Sequence, residues 1–313
     1  MVNLSQVFIG VDISKNSLDI FINPIGLSLK IDNSEMAIKK FIKQLKTYQV
    51  KQIACEATGG YERTLVNLLQ QYEYPCWVVD PKRIKGFIVS EGCKVKTDKI
   101  DAKWIASFAS KNSPHYEIVT KTQNEKILQS LINRRADLTQ FLAAEKTRLV
   151  HPTHALSISS IEDMIMILEK EITKINMQIS QHVAKDANLD NKVELLTSIP
   201  GIGKNTAALL VASVPELGQI PNNKISALIG VCPYTRESGD YKGKSFIRGG
   251  RMVPRNALYM CAKTSIRYYP PFKEFFNRLK ADKKPYKVAM VAVMRKLIIL
   301  ANTILKKGEP CRV

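Results

Sequence analysis

Acidic residues are scarce in this chain: 28 Asp and Glu stand against 47 Lys and Arg, a formal net charge of +19 over 313 residues. The excess is spread along the sequence and not gathered in a tail, a distribution that suits a polyanionic partner, most often nucleic acid. No low-complexity block occurs, and no run of about 18 apolar residues that would predict a membrane span. The first residues, Met1-Val2-Asn3-Leu4-Ser5-Gln6-Val7, place no charged segment ahead of an apolar one, so no signal peptide is expected. None of the six cysteines (Cys55, Cys76, Cys93, Cys232, Cys261, Cys311) is paired at CxxC spacing. That argues against a zinc ribbon or a disulfide framework and predicts reduced, mostly buried thiols in a cytoplasmic protein of a bacterial, nucleoid-associated kind.

What is present divides into three sections: 1–115, 120–185 and 190–313. In the first, Val7–Asp12 reads as a buried strand, with two more at Ser17–Asn23 and Leu27–Ile31 turned by Asn23-Pro24 and Gly26. Ser34 caps a helix whose apolar residues Ile38, Phe41, Ile42 and Leu45 follow the 3.6-residue period. A fourth strand, Gln52–Glu56, closes on Thr58-Gly59-Gly60, and a helix from Tyr61, a strand Pro75–Val79 and helical sequence through Ala109 follow. A three-strand meander followed by alternating helices and strands is the order of an α/β ribonuclease H-like domain.

The middle section carries Leu128, Leu131, Leu138, Phe141, Leu142 and Leu149 through a charged helix, broken at His151-Pro152. A second apolar stripe, Ile165, Leu168, Ile172, Ile175 and Ile179, resumes after it. Two long amphipathic helices predict a coiled-coil arm suited to dimerisation. The last section, mainly α-helical, opens with Ile199-Pro200-Gly201-Ile202-Gly203-Lys204 between apolar helices, the pattern of a helix-hairpin-helix. Gly201, Gly203 and Lys204 then bring backbone N–H groups and one cation to a phosphate, gripping backbone without reading sequence.

Asp98 and Asp101 lie one helical turn apart in a lysine-rich run, so both carboxylates share a helix face. Such a pair on a basic chain suits a hard divalent cation placed where a phosphodiester is held. Asp12 ends the first strand and Glu56 the fourth, and in a ribonuclease H-like sheet those strands are neighbours. Four carboxylates there can hold two magnesium ions about 4 Å apart. Asp19, in mid-strand, and Asp80, before Pro81 where a helix-start role suffices, are set aside.

Three blocks resemble the N-terminal signature of the insertion-sequence family 110 transposases: Val11-Asp12-Ile13-Ser14-Lys15, Cys55-Glu56-Ala57-Thr58-Gly59-Gly60-Tyr61-Glu62 and Lys96-Thr97-Asp98-Lys99-Ile100-Asp101-Ala102. That family includes Piv-type DNA invertases and bridge-RNA-guided recombinases. The resemblance implies a RuvC-like fold with its DEDD tetrad at Asp12, Glu56, Asp98 and Asp101, and Mg2+ as cofactor. It also implies that the block Ile229–Gly239, followed by Gly243-Lys244 and Arg248-Gly249-Gly250-Arg251, is the family's transposase domain, which places its serine nucleophile at Ser238. Arg236, Lys242, Lys244, Arg248, Arg251 and Arg255 are then the cations that neutralise developing phosphate charge. Spacing alone leaves Tyr234, Tyr241 and Ser245 as competing nucleophiles. Expected partners are donor and target DNA, a noncoding guide RNA, and further copies of the chain in a homodimer or homotetramer, with no membrane. Two alternatives stay open: a metal-dependent junction nuclease that uses water, and an invertase that needs no RNA.

Overall fold

Along the strand β1 (Gln6–Ile13), Val7, Ile9, Val11 and Ile13 are buried on one face, while Phe8, Gly10 and Asp12 point to the other. Both faces are covered, so β1 lies at the centre of a sheet. The computed structural model of the chain describes residues 6–92, 98–113, 121–151, 154–235, 237–238, 241–243 and 245–311. Contacts group the chain into two compact units, Met1–Thr120 and Lys121–Val313, so the helical segment expected at 120–185 packs with the second.

The first unit is a mixed α/β domain. β2 (Ser17–Asn23) and β3 (Leu27–Asp32) extend β1 as an antiparallel meander. β4 (Gln49–Glu56) and β5 (Cys76–Val79) add in parallel on the other side, giving the order β3-β2-β1-β4-β5. Ser34 caps α1 (Glu35–Leu45) by accepting from the Ala37 N–H at 3.3 Å. Ile38, Phe41, Ile42 and Leu45 of α1 bury against one sheet face, with Leu65, Leu68 and Leu69 of α2 (Arg63–Gln71). The opposite face is closed by α3 (Pro81–Ser90) and α4 (Asp98–Lys111) over Ala54, Trp77 and Val79. Asp80 is the α3 N-cap, its Oδ1 accepting from Lys82 N–H at 2.8 Å, as the Asp-Pro junction predicted.

The second unit is mostly helical. α5 (Gln123–Val150) starts in a reciprocal Thr122/Glu125 capping box and pairs with α6 (Ala155–Ala184) as a hairpin that buries Leu128, Ile132, Leu138, Leu168, Ile175 and Ile179. Phe141 and Leu149, expected on the same stripe, are exposed at 54% and 39% towards the far end of α5. Next come α7 (Ala187–Thr197), α8 (Lys204–Ser213), α9 (Asn222–Ile229), α10 (Met252–Tyr268), α11 (Pro270–Ala281) and α12 (Tyr286–Lys307). α12 is long and apolar enough by composition to cross a membrane, yet half of its apolar window is buried in the protein. It is the core helix of this unit. Its buried Asn302 accepts from Gly218 N–H at 2.7 Å and donates to Ile220 O at 2.9 Å, fixing the loop before α9. Among the described residues the cysteines are free thiols; Cys55, Cys76 and Cys261 are buried, and Cys232 and Cys311 partly so.

Candidate active site

The parallel register of β1 and β4 pairs Gly10 with Ala54 and Val11 with Cys55, so the next pair along is Asp12 with Glu56. In-register neighbours on parallel strands share a face, and here it is the face of Gly10 and Ala54, beneath α4. A Cβ at Gly10 would stand 2.1 Å from Ala102 O and 2.3 Å from Ala106 N, so α4 lies directly on the strand backbone. Phe8, two residues earlier, packs with the cluster containing Ile105, Phe108 and Ala109. α4 therefore runs antiparallel to β1, and its first turn, bearing Asp98 and Asp101, starts at the strand end that bears Asp12. Asp12, Glu56 and Asp101 are half-buried, and each has an interaction partner. Among the described residues no three acidic, His or Cys side chains already stand as a metal cage, and the Asp98 side chain lies outside that description. The residues brought to this end of the central strands offer hard carboxylate oxygens, a donor type that suits magnesium.

The loop after Glu56 is fixed by its own residues. Glu62 accepts from Thr58 Oγ1 at 2.7 Å, Gly60 N–H at 2.8 Å and Thr58 N–H at 3.3 Å. Burial works to raise the Glu62 pKa, but these hydrogen bonds outweigh it and hold the carboxyl below its ordinary value. Asn33 Nδ2 then donates to Ser14 O at 3.0 Å and Tyr61 O at 3.1 Å, tying the turn beyond Asp12 to the loop beyond Glu56.

Ser238 lies on a β-ribbon. β6 (Pro233–Tyr234) pairs with β9 (Phe246–Ile247), and β7 (Glu237–Ser238) with β8 (Tyr241–Lys242), in registers that set Ser238 opposite Tyr241. Ser238 is thus the last described residue of β7. Its side chain and that of Lys242 are outside the described residues, as are Arg236 and Lys244 altogether. Arg248 lies over the Tyr234 ring at 5.0 Å, and exposed. At the ribbon base, Gly230 and Gly250 meet backbone to backbone: a Cβ on Gly250 would stand 2.3 Å from Gly230 N. Arg255 Nη1 donates to Gly249 O at 2.7 Å. Arg251 grips Glu216 through two hydrogen bonds of 2.6 and 2.7 Å, and donates to Ser213 O at 3.0 Å. The expectation that Arg251 faces a phosphate gives way to this role, because Glu216 is only 6% exposed and needs the countercharge.

The expected hairpin joins α7 to α8, and its glycines divide. Gly201 (φ +99°) is pressed against α10, where a Cβ would stand 2.2 Å from Ser265 Oγ, and Ser265 Oγ donates to Pro200 O at 2.6 Å. Gly201 is therefore required for packing against α10, because a side chain there would meet Ser265. Gly203 and Lys204 are exposed at the α8 N-terminus, with no side chain capping it.

A family model described as a transposase, that of the IS110 DEDD transposases, matches residues 9–152, and one described as "Transposase IS116/IS110/IS902 family" matches residues 193–277. The chain belongs to the IS110 transposase family. Similar proteins include the pilin gene-inverting proteins of Moraxella bovis and Moraxella lacunata, each 28% identical over 321 residues and 98% of both chains. The transposase for insertion sequence element IS1111A of Coxiella burnetii is 23% identical over 297 residues, covering 83% of this chain and 78% of that protein.

Against the IS110 family's four-acid pattern, one further carboxylate stands out. Asp19, set aside from sequence, lies directly opposite Asp12 in the β1–β2 register and on the same face. Lys30 of β3 pairs with it at 3.0 Å and offsets two like charges placed side by side. The signal was the hairpin register, fixed by the short turn at Ser14–Asn16.

Proposed function

We propose that this chain is a DNA recombinase that cuts and rejoins strands through a protein–DNA intermediate, on a ribonuclease H-like, RuvC-like catalytic domain. The observation that carries the reading is the parallel pairing of β1 with β4 up to Val11 and Cys55, which brings the following residues, Asp12 and Glu56, side by side on the face where α4 begins with Asp98 and Asp101. The sheet order, with three antiparallel strands and two added in parallel, supports it. Asp12, Glu56, Asp98 and Asp101 would hold magnesium, which when bound supplies charge neutralisation for the attacking and leaving oxygens. Ser238, on β7 of the ribbon, attacks the phosphorus. The Oγ–P bond forms as the bond to the 3′ oxygen breaks, leaving a 5′-phosphoserine and a free 3′-hydroxyl; the serine loses its proton and the departing oxygen gains one. A 3′-hydroxyl from another strand then reverses the step, so bond energy is conserved without ATP. Arg248 and the α8 N-terminus at Gly203 and Lys204, as the backbone-gripping half of a helix-hairpin-helix, hold the flanking phosphates.

The α5–α6 hairpin serves as a coiled-coil arm joining protomers into a dimer or tetramer in which Ser238 of one works with the acids of another. A noncoding guide RNA chooses donor and target, and the reaction takes place in the cytoplasm. The second reading is an RNA-independent invertase, favoured by the 98% coverage of the pilin gene-inverting proteins. One experiment tests the chemistry: a nicked junction substrate is incubated with magnesium and the adduct is sought. Wild type and Tyr241→Phe are expected to give a covalent protein–DNA species and Ser238→Ala none. Product without any adduct would instead establish a hydrolytic junction nuclease. Sequencing the RNA that co-purifies with the protein separates the guided recombinase from the invertase.

A further inference from the structure

The segment Lys273–Lys287, which joins α11 to α12, holds six basic residues and two acids, Glu274 and Asp282. Arg278, Lys280, Lys283, Lys284 and Lys287 are all exposed, and among the described residues none of them forms an ion pair with a carboxylate. Like charges this close repel one another, and flexible side chains on a loose loop would spread to relieve it. Here the turn is fixed. Lys283 N–H donates to Lys280 O at 3.0 Å and Lys284 N–H to Leu279 O at 3.1 Å, the paired bonds of a Schellman helix end. Phe276 meets Tyr286 edge-on at 5.7 Å and pins α12 to α11. The Phe275 ring lies under Lys296 at 3.9 Å and near Arg278 at 5.4 Å, drawing a cation of α12 into the same patch.

Lys283 occupies the helix-end position with φ +55°, where glycine is the residue of least strain. It and Glu73 are the non-glycine residues of positive φ among those described. Local folding thus favours another residue at position 283, while the field of the patch is strengthened by the lysine that stands there.

We propose that this α11–α12 turn is a contact for the sugar-phosphate backbone of duplex DNA, separate from the Ser238 ribbon and the α8 N-terminus. The inference rests on the recombinase reading above. Duplex DNA is the fitting polyanion because cations dominate the patch: Phe275 is occupied by its two cations and Phe276 meets Tyr286 edge-on, so among the described aromatic residues of the segment only Tyr286 is classed as exposed, whereas single-strand sites depend on successive open aromatic faces. Contacts of this type hold the duplex in place and read no sequence.

The test measures affinity of the full chain for a random-sequence DNA duplex against salt concentration. Variants are Lys283→Gly and the triple Lys280→Ala/Lys283→Gly/Lys284→Ala, each with its thermal midpoint. The log–log salt slope should fall by about 0.9 for Lys283→Gly and about 2.7 for the triple, one step per lost phosphate contact. Lys283→Gly should keep or raise the thermal midpoint, a pairing of outcomes that a structural role for Lys283 would not give. Slopes equal to wild type overturn the proposal and leave the recombinase reading standing. Losses seen only with single-stranded RNA, or a lowered midpoint in Lys283→Gly, also overturn it. A wild-type protein with no salt-dependent duplex binding overturns both.

Discussion

Replacing Gly10 by alanine tests the geometry on which the acid site depends. The new methyl would stand 2.1 Å from the Ala102 carbonyl oxygen, and real contacts of this kind do not fall under 3.0 Å. The obstruction is helix backbone, so α4 must lift from the sheet by roughly 1 Å, a displacement of the size that costs about 100-fold when it misplaces catalytic groups. Overpacking of this sort destabilises by about 1–3 kcal/mol, and with backbone as the obstacle the upper half of that range is expected. Both tryptophans contact these helices, Trp104 of α4 meeting Phe87 of α3 and Trp77 of β5 meeting Phe108 of α4, so urea unfolding followed by intrinsic fluorescence reports on the affected helix. Magnesium-dependent strand transfer by the folded variant gives the rate. Gly86→Ala is the control: its methyl meets nothing within 4 Å in α3, and it should stabilise by about 0.5–1 kcal/mol. A Gly10→Ala protein with wild-type stability and rate would refute the reasoning. One that is less stable but equally fast would show that α4 supports the sheet without setting the chemistry.

The Arg251–Glu216 clamp predicts that Arg251→Ala destabilises by about 2–3 kcal/mol in denaturant titration, since it strands a buried carboxylate; water reaching the partly exposed guanidinium keeps this below the fully buried limit. The double change Arg251→Met/Glu216→Leu should recover most of that loss, and equal destabilisation of single and double variants would remove the clamp from the account. Lys121 Nζ donates to Ala212 O at 2.7 Å, and desolvation, then repulsion from Arg251, brings its pKa from 10.5 to about 8. Between those values the unfolded chain binds the extra proton, so this group's contribution to stability rises as pH climbs from about 8 towards 10.5. Measured as wild type minus Lys121→Met, the stability difference should move in favour of wild type by on the order of 1–2 kcal/mol over that window. A flat difference contradicts the desolvated lysine.

Local signals carried most of the first unit. Alternation in β1, the Ser34 cap with its helical stripe, and Asp80 before Pro81 each act within a few residues, and each element stands where its residues dictate. The adjacency of Asp12 and Glu56 followed from the strand order expected of a ribonuclease H-like sheet, in which the first and fourth strands are neighbours, and β1 and β4 do pair. What stayed hidden depends on distant partners. Arg251 reads as one more cation in a basic loop until Glu216, 35 residues away, is placed beside it. That Gly201 also packs against α10 shows only once Ser265, 65 residues on from Pro200, is placed beside it. A basic residue fulfils either role with the same side chain, so composition alone does not separate them. The place of Asp19 opposite Asp12, by contrast, follows from counting back across a short turn.

α5 has its root and its tip in very different surroundings. Just before its first residue, Lys121 is bonded to Ala212 O, one residue from the Ser213 carbonyl that receives Arg251 at the ribbon base. From there the helix runs 28 residues unbroken, a rod of about 42 Å at 1.5 Å per residue. Leverage follows from that length: a tilt of about 5° at the root moves the tip by roughly 4 Å, the width of a side chain. Seen from the other end, the same rod reduces coarse movements at the tip to fine adjustments at its root. A partner that grasps Phe141 and Leu149 therefore has a long handle on the few carbonyls where the ribbon of Ser238 is anchored.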